Sequence, residues 1–351
     1  MKKMILVLLC FFFCAAPSYR EAAARAARET ASSTFFLAMD TAMTLTAYGP
    51  NGQEAIGELQ KEILSMENRL SRTLPETAVW QLNAGKVLPL NDELRTLLDA
   101  AALYAEATGG LFDITIAPAA DLWGFTTDSF RVPEQQEIDA VLPLIGPEHI
   151  HMETDTVWLD PGTKIDLGGL AKGYAVEQAL SVYKAHDIQS GIANLGGDML
   201  VMGAKPDGSP WRIGIQNPND PNDHLLGVLS GEDLFVLTSG DYQRYFEENG
   251  TLYCHILSPL DGRPAQSGLN SVTLVAPAAD GNGTLCDALA TAIFIMGEEE
   301  AVRFWQHTPL SFDMILSDKD GRLFITEGLK DCFAPVAESV LSFSILQKET
   351  P

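Results

Sequence analysis

Residues 165–174 combine an acidic side chain, two glycines and a lysine at the point where an apolar strand gives way to a helix. Glycine lets the backbone approach a ligand closely, and the first N–H groups of a helix attract anions. The order Asp166-Leu-Gly-Gly-Leu-Ala-Lys172 is therefore typical of a loop that holds a phosphate group. An ordinary strand-to-helix turn has the same composition, so the motif alone leaves both interpretations open.

Asp287 and Thr291 lie four positions apart, which places their oxygens on one face of a predicted helix. That helix is otherwise apolar, and a carboxylate on it is unfavourable unless it is paired. A carboxylate and a hydroxyl on one face suit a hard, oxygen-binding cation such as Mg²⁺. A structural alternative also fits the pattern, in which Asp287 interacts with the helix dipole and Thr291 bonds a backbone carbonyl.

Three further stretches carry polar groups beside glycine or apolar residues. Asp113 and Asp121 flank a proline turn next to Trp123, and a Gly-Gly turn follows Asn194. His255 lies between apolar neighbours on a predicted strand. Taken singly, these features fit solvated turn carboxylates, a tight turn that would also suit a flat ligand, and a buried core imidazole.

Together these stretches resemble the FAD:protein FMN transferase (ApbE) family, in the family's order and over roughly residues 36–300. Each motif is weak alone, but several in register over such a span leave little room for chance. The matching motifs are Met39-Asp-Thr41, Phe112-Asp113, Trp123-Gly-Phe125, Asp166 to Tyr174, Asn194-Leu-Gly-Gly-Asp198, Thr238-Ser-Gly-Asp-Tyr242, His255-Ile-Leu-Ser-Pro259, Gly262-Arg-Pro264 and Asp287-Ala-Leu-Ala-Thr291.

The resemblance implies a specific reaction. Members take FAD, break its pyrophosphate and transfer the FMN phosphoryl group to a Thr or Ser of an exported target protein, such as a redox-complex subunit, with release of AMP. Magnesium is the usual metal ion. Some relatives hydrolyse FAD to FMN and AMP instead, so a magnesium-dependent FAD pyrophosphatase is the alternative hypothesis. An exported flavin-binding protein without catalytic activity is a third hypothesis. The presence of His255 as a candidate base argues against it, because binding alone needs no base.

The resemblance also implies roles for individual residues and a fold. Asp287 and Thr291 would hold the metal ion together with the carbonyl of Gly169. His255 would lie against the phosphates as the base, so that His255 and Asp287 form the catalytic pair. The residues implied to contact FAD are Met39, Ala119, Ala120, Asp121, Asp166, Lys172 and His255. The implied architecture is T-fold-like, with the flavin site in a cleft between two lobes.

One stretch departs from the family pattern. The family often has an aromatic residue where Thr73 stands, and that residue can stack on a flavin ring. Trp80-Gln81 also replaces the Ser-Arg that the family has before Leu82-Asn83. Trp80 and Trp123 therefore remain as candidates for stacking on the ring.

The elements that must position these residues mix strands and helices without strict βαβ alternation, which favours an α+β fold over a doubly wound sheet. The sequence predicts helices over roughly 53–70, 92–108, 134–144, 284–296 and 298–306, and one more that follows the glycine motif and runs to about residue 186. Strands dominate 192–257, hairpins are expected at 149–159 and around 318–321, and residues 111–130 are rich in turn formers.

Composition excludes one class of partner. The chain has 351 residues, of which 46% are hydrophobic, and its 23 basic and 47 acidic residues give a formal net charge of −24. Such a surface repels nucleic acid and anionic lipid at long range. A polyanionic ligand therefore needs a local correction, from a metal ion or from helix N-termini.

The N-terminus is typical of an exported protein. Residues 1–20 have two lysines, a short apolar run and small residues, as in a signal peptide or lipoprotein signal, and Cys14 is a candidate lipid-attachment site that would anchor the protein to a membrane. We expect a periplasmic location or the outer face of the cytoplasmic membrane. A linker is predicted over 21–35 and the catalytic domain over 36–346. Beyond the signal, the odd number of cysteines indicates no disulfide framework.

Overall fold

The computed structural model describes residues 30–127, 129–219, 225–336, 340 and 342–348 of the chain. The predicted signal segment, Cys14 and the linker residues before position 30 lie outside these ranges. Within the described ranges, no helix is long and apolar enough to cross a bilayer.

The described residues form α-helices and strands in mixed order, together with four short 3₁₀ turns. The helices are α1 (Gly52–Leu70), α2 (Ala78–Asn83), α3 (Asp92–Ala107), α4 (Ala117–Trp123), α5 (Gln135–Val141), α6 (Ala171–Ala185) and α7 (Asn282–His307). The strands are β1 (Ala31–Ala38), β2 (Thr41–Tyr48), β3 (Leu88–Pro89), β4 (Ile150–Met152), β5 (Thr156–Leu159), β6 (Gly191–Leu195), β7 (Asp198–Met202), β8 (Trp211–Gln216), β9 (Leu225–Gly231), β10 (Leu234–Gly240), β11 (Tyr245–Glu248), β12 (Thr251–Cys254), β13 (Leu257–Ser258), β14 (Arg263–Pro264), β15 (Leu269–Pro277), β16 (Asp313–Asp318), β17 (Arg322–Thr326), β18 (Phe333–Pro335) and β19 (Ser342–Leu346).

A nine-stranded sheet organises the molecule, in the order β1-β2-β6-β7-β10-β15-β16-β17-β19. Its neighbours pair antiparallel except β17 and β19, which are parallel. Smaller sheets are formed by β18-β9-β8, by β3-β5-β4 and by the hairpins β11-β12 and β13-β14. This combination of mixed sheets and packed helices confirms the predicted α+β class.

Both faces of the large sheet are covered. Helices α1, α6 and α7 pack on one face and bury the main hydrophobic core, and α3 packs against α7. On the opposite face, β8 and β9 bury Trp211, Ile213 and Leu229 against Val236 and Ile315. Strand β15 is covered from both sides, and for that reason its residues from 269 to 276 are all buried. A near-continuous buried run is what a strand needs at such a position.

A third cluster attaches the hairpin β11-β12 to α4. Trp123 and Phe125 pack against Phe246 and Tyr253, and the ring centroids of Trp123 and Tyr253 are 5.4 Å apart. Tilted and offset rings at this separation attract one another beyond the area that they bury. Because β12 ends one residue before His255, this aromatic contact fixes the chain that carries the imidazole.

The predicted helices with strong periodicity are confirmed. In α1, the residues at helical spacing (Ile56, Leu59, Ile63, Met66 and Leu70) are all buried. Helix α3 begins after Asn91, whose Oδ1 accepts the N–H of Leu94 at 2.8 Å, and ends before Gly109. The two helices predicted around 284–306 form one element, α7, in which Gly297 interrupts the helix with φ of +76°. A non-glycine residue rarely adopts that conformation.

Two sequence expectations need correction. Residues 31–35, which were assigned to the linker, lie in β1 and pair with β2 from Ala31 opposite Tyr48 onwards. Residues 111–130 were expected to be turns, yet they include α4. Pro118 lies in the first turn of that helix, where a missing N–H is tolerated, and Gly124 ends it with φ of +82°.

Candidate functional site

Helix α7 presents Asp287 and Thr291 toward the glycine turn before α6. Thr291 Oγ1 lies 3.5 Å from the carbonyl oxygen of Asp287, one helical turn earlier. A Cβ added to Gly169 would lie 3.6 Å from Thr291 Oγ1, so Gly169 and Thr291 are neighbours. The structure therefore brings together the three residues predicted to bind the metal ion, although Gly169 and Asp287 are 118 positions apart.

Asp287 also serves the other helix. Its Oδ2 accepts the N–H of Gly173 at 2.8 Å, in the first turn of α6. A carboxylate at a helix N-terminus satisfies a donor that has no partner within its own helix and interacts favourably with the helix dipole. The structural alternative from the sequence is thus partly correct, but the helix whose dipole Asp287 meets is α6 and not its own.

Close packing of α6 on α7 makes this contact possible. A Cβ on Gly173 would lie 2.4 Å from the carbonyl oxygen of Gly283 and 2.7 Å from Cβ of Asp287. Real Cβ contacts are not that short, so the site requires glycine at position 173. Gly173 therefore allows α6 and α7 to pack closely.

Lys172 lies between two carboxylates. Its Nζ forms an ion pair with Oδ2 of Asp198, whose side chain is only 2% exposed, and the negative charge of Asp287 is close enough to raise the pKa of Lys172. Asp198 Oδ1 also accepts the N–H of Thr238 at 3.0 Å, which fixes the carboxylate against β10. Asp198 thus connects the stretch that begins at Thr238 with Lys172.

The charges at this point are strongly coupled. Burial lowers the pKa of Lys172, but Asp198 and Asp287 raise it more, so that the ammonium group stays charged. Burial and the charge of Asp198 raise the pKa of Asp287, and Lys172 opposes that shift. Two acidic groups share one ammonium group, and the pKa of Asp287 rises to about 7, so that Asp287 is only partly ionised at neutral pH.

Arg72 joins the two carboxylates that were predicted to contact FAD. Its Nη1 lies 2.9 Å from Oδ2 of Asp166, and its Nη2 lies 2.6 Å from Oδ1 of Asp121. The Arg72 side chain is 11% exposed, so the guanidinium is held in the protein and does not extend into solvent. Asp166 Oδ1 also accepts the N–H of Gly168 at 2.8 Å, and the position of the glycine turn therefore depends on this network.

Asp121 has a second cation partner. Lys164 Nζ lies 2.7 Å from its Oδ2, and the hydroxyl of Thr126 donates to its Oδ1 at 2.7 Å. Burial raises the pKa of Asp121, but Arg72 and Lys164 outweigh burial and hold the pKa below its ordinary value. Asp121 is consequently ionised and fixed in position.

Asn83 holds the strand end that leads into Asp166. Its Nδ2 donates to the carbonyl of Ile165 at 2.9 Å, and its Oδ1 accepts the N–H of Ile165 at 2.7 Å. A side-chain amide that bonds both backbone groups of one residue replaces a neighbouring strand. The Leu-Asn pair at the end of α2 thus helps to place Asp166.

His255 is a half-buried base with a defined tautomer. Its Nδ1 lies 3.2 Å from the carbonyl of Arg244, which can only accept, so Nδ1 carries the proton and Nε2 has the lone pair. Burial, together with the charges of Lys172 and Arg244, lowers the pKa of His255 to about 4, although the hydrogen bond to the Arg244 carbonyl and the charge of Asp166 oppose the shift. His255 is therefore neutral at pH 7 and lies within electrostatic range of Lys172 and Asp166.

Met39 lies at the same end of the sheet but contacts the site indirectly. It forms a two-residue turn with Asp40 between β1 and β2, and both residues have positive φ. The Met39 N–H donates to Oε1 of Glu67 at 2.9 Å. Thr41 packs so closely on Gly196 that a Cβ there would lie 2.1 Å from Thr41 Oγ1, which places the two turns side by side.

The two alanines predicted to contact FAD differ in exposure. Ala119 is completely buried in the aromatic cluster of α4, so that only its backbone could reach a ligand. Ala120 is partly buried at the edge of the same cluster. Asp121 follows on this helix and, as described, faces the Arg72 network.

Two other candidates prove to be structural. Trp123 is 1% exposed and donates its indole N–H to the carbonyl of Gly262 at 2.8 Å, so it offers no ring face to a flavin, and its candidacy as a stacking residue is wrong. Asp113 caps a 3₁₀ turn by accepting the N–H and hydroxyl of Thr115, and burial raises its pKa. Trp80 is half-buried, with Lys86 Nζ 5.7 Å from its ring centroid.

The donor set at Gly169, Asp287 and Thr291 fits a magnesium ion. Among the described residues, no group of three or more His, Cys, Asp or Glu side chains is arranged to hold a metal. A carboxylate, a hydroxyl and a carbonyl are hard oxygen donors, and Mg²⁺ is usually bound by one or two carboxylates plus substrate phosphates.

Several residues at the site were not predicted as functional from the sequence. Asp198 follows a Gly-Gly turn and could have been suspected on that ground. Arg72, Lys164 and Asn83 carry no such signal, because each acts through partners between 43 and 94 positions away. They became visible only when the fold placed Asp121 and Asp166 together.

The sequence and the fold are similar to those of known proteins. A sequence profile described as "ApbE family" matches residues 39–316. A Vibrio cholerae protein named FAD:protein FMN transferase is 30% identical over 272 residues, which cover 77% of this chain and 80% of that protein. Two solved structures are similar as well, the ApbE protein of Thermotoga maritima and the apo form of the Pseudomonas stutzeri flavinyl transferase ApbE.

The Thermotoga structure has a TM-score of 0.80 and 29% identity, and covers 86% of this chain and 99% of its own. The Pseudomonas structure has a TM-score of 0.76 and 27% identity, and covers 88% and 98%. The similarity thus spans the helices and the sheet that carry the site. This chain belongs to the ApbE family.

Proposed function

We propose that this protein is an FAD:protein FMN transferase that moves the FMN phosphoryl group from FAD to a Thr or Ser hydroxyl of a target protein. The observation that carries the proposal is the convergence of Asp287, Thr291 and Gly169 beside Lys172, with His255 in electrostatic range. The names of the relatives support the same activity.

In this reaction the target hydroxyl attacks the phosphorus of the FMN half of FAD. The bond between that phosphorus and the bridging oxygen breaks, AMP leaves with the bridging oxygen, and the hydroxyl proton passes to His255. The Arg244 carbonyl fixes the tautomer in which Nε2 is the acceptor. The low pKa of His255 keeps the base unprotonated before FAD binds, and the negative phosphates would raise the pKa when they arrive.

Mg²⁺ is proposed to be held by Asp287, Thr291 and the Gly169 carbonyl. When bound, it would neutralise charge on the phosphates during transfer. Lys172, fixed by Asp198, adds a cation that cannot easily lose its proton. The first turn of α6 holds the carboxylate of Asp287 in place, because the N–H of Gly173 donates to it.

The remaining residues are proposed to bind the rest of FAD. Asp166 and Asp121 form ion pairs with Arg72, so these acidic side chains suit hydrogen-bond donors of the ribose or of the rings and not phosphates. Met39 and the backbone of 119–120 are proposed to line the cleft that receives the flavin.

The proposed partner is an exported protein with an acceptor Thr or Ser. The signal-like sequence of residues 1–20 supports a location in the periplasm or at the outer face of the cytoplasmic membrane. Cys14 is proposed as a lipid anchor. The high negative charge makes nucleic acid an unsuitable partner.

Mass spectrometry of a candidate target incubated with FAD, Mg²⁺ and the protein tests the proposal. An adduct of the mass of FMN on a Thr or Ser, with one AMP per adduct, is the expected result. EDTA and Asp287→Asn should each abolish the adduct. Formation of free FMN and AMP without an adduct would show a pyrophosphatase, and intact FAD after long incubation would show a binding protein.

A further inference from the structure

Glu177 is a half-buried acidic residue on α6, two turns from the loop, with no part in the reaction described above. Its Oε1 accepts the N–H of Thr284 at 2.7 Å and the hydroxyl of Thr284 at 3.0 Å. The backbone of Gly281 and Gly283 also bonds to the carboxylate. These groups are the first N–H donors of α7, so Glu177 caps the N-terminus of the helix that carries Asp287 and Thr291.

The capping is reciprocal. Glu177 of α6 satisfies the N-terminus of α7, while Asp287 of α7 accepts the N–H of Gly173 at the N-terminus of α6. Between these two contacts the backbones touch, since a Cβ on Gly283 would lie 2.5 Å from the carbonyl oxygen of Gly173. Two caps with a glycine contact between them leave the helices no room to slide along one another.

This arrangement determines where the oxygens of Asp287 and Thr291 lie relative to Gly169 and Lys172. A shift of α7 by one residue would move each of its side chains by about 1.5 Å and rotate it by about 100°. Such a shift would separate Thr291 from Gly169. Metal and phosphate sites tolerate displacements of only about 0.5 Å in their ligands.

We propose that Glu177 is a positioning residue for the metal and phosphate site, acting through the reciprocal capping of α6 and α7. This inference rests on the proposed function for the identity of the bound groups. Removal of the carboxylate should leave α7 formed but free to move, so that the oxygens of Asp287 and Thr291 are no longer held beside Gly169. Partners of this kind typically change metal affinity roughly 10- to 100-fold.

Mn²⁺ binding measured by electron paramagnetic resonance, in the presence of FAD, tests the inference without relying on turnover. Glu177→Ala should raise the Mn²⁺ dissociation constant at least roughly 10-fold. Glu177→Gln keeps an acceptor for the Thr284 N–H but places an amide N–H among donors, so a smaller rise is expected. Thr284→Val, which keeps the backbone bond and loses the hydroxyl bond, should have the smallest effect.

Glu137→Ala is the matched control. Glu137 caps α5 by accepting the N–H of Glu134 at 2.9 Å, and that helix carries none of the proposed ligands. The control should lower thermal stability and leave Mn²⁺ affinity unchanged. If Glu177→Ala behaves like the control, or if it does not fold and Glu177→Gln binds Mn²⁺ as the wild type does, the inference is wrong.

Turnover separates this inference from the proposed function. In an FMN-transferase assay, Glu177→Ala should need more Mg²⁺ for half-maximal rate, with less change at saturating Mg²⁺. If the wild type transfers no FMN but Mn²⁺ binding still weakens in the order given, Glu177 positions a metal site and the proposed reaction alone fails.

Discussion

The ion pair between Lys172 and Asp198 provides a direct test of how the site is built. Lys172→Met removes the ammonium group and keeps most of the apolar length of the side chain. The Asp198 carboxylate is only 2% exposed. It would then remain buried beside Asp287, with the hydrogen bond from the Thr238 N–H but without its cation. The folded state must then tolerate an uncompensated charge or take up a proton.

Removing one partner of a buried ion pair costs about 3–5 kcal/mol. The Lys172 side chain is 24% exposed, and solvent screens part of the interaction, so we expect the lower end, about 3 kcal/mol. The double variant Lys172→Met with Asp198→Asn removes both charges and keeps an oxygen for the Thr238 N–H. It should recover most of the loss, because neither partner is then left charged and buried.

Urea unfolding at pH 7 measures these differences in the free energy of unfolding. Arg131→Met is the control, since the Arg131–Glu137 pair is 46% and 38% exposed and should contribute little to the free energy of unfolding. The reasoning is refuted if Lys172→Met is no more destabilising than the control, or if the double variant is less stable than the single one.

Three further changes probe other parts of the site. Burial lowers the pKa of His255 from 6.5 to about 4, so the unfolded chain binds a proton at higher pH than the folded chain does. Between pH 7 and pH 5, the wild type should therefore lose about 2 kcal/mol more of its free energy of unfolding than His255→Gln does. Equal losses in urea unfolding would contradict the burial of the ring. Arg72→Gln leaves Asp121 and Asp166 without their shared cation and should weaken FAD binding about 10-fold, which is the size of effect expected when a hydrogen bond between charged groups is lost. An unchanged affinity in a fluorescence titration would rule this out. Gly173→Ala places a Cβ 2.4 Å from a carbonyl oxygen and should destabilise the fold by about 1–3 kcal/mol. Gly57→Ala lies within α1, where the added Cβ has no neighbouring atom within 4 Å, and should stabilise the fold by about 0.5–1 kcal/mol. Melting temperatures that shift in the same direction for both variants would contradict the packing described.

The parts of the fold that follow from local periodicity could be predicted from the sequence. Helix α1 is an example, because Ile56, Ile63 and Met66 repeat with the helical period and all face the core. Helix α4 was missed because its short sequence begins with a proline and ends with a glycine among other turn formers. The signal was present, since Pro118 in a first turn and Gly124 after a last turn are typical helix boundaries.

The proximity of the proposed metal-binding residues was also within reach of the sequence. The spacing of Asp287 and Thr291 indicates one helix face, and a glycine turn indicates an approach of backbone to ligand. The bridging residues were out of reach, because a pattern in one segment does not show which distant segment it meets. Arg72 contacts Asp166 across 94 positions, and Glu177 contacts Thr284 across 107. Both contacts exist only after the helices have packed.

The charges of the site are the reason why we propose a cation for a substrate as negative as FAD. The site has four acidic and three cationic side chains, and the pKa of Asp287 is raised to about 7, so these seven groups offer no excess of positive charge: Asp121, Asp166, Asp198 and Asp287 against Arg72, Lys164 and Lys172. Each of the three cations is already within ion-pair distance of a carboxylate, so their positive charge is largely balanced within the protein. A pyrophosphate bridge adds further negative charge to this place, and the surface of the chain, at −24, offers no compensation. The N–H groups of α6 contribute only partial charges, and one of them already donates to Asp287. We therefore propose that a divalent ion beside Asp287 and Thr291 is the means by which this acidic protein holds the phosphates of FAD close to His255.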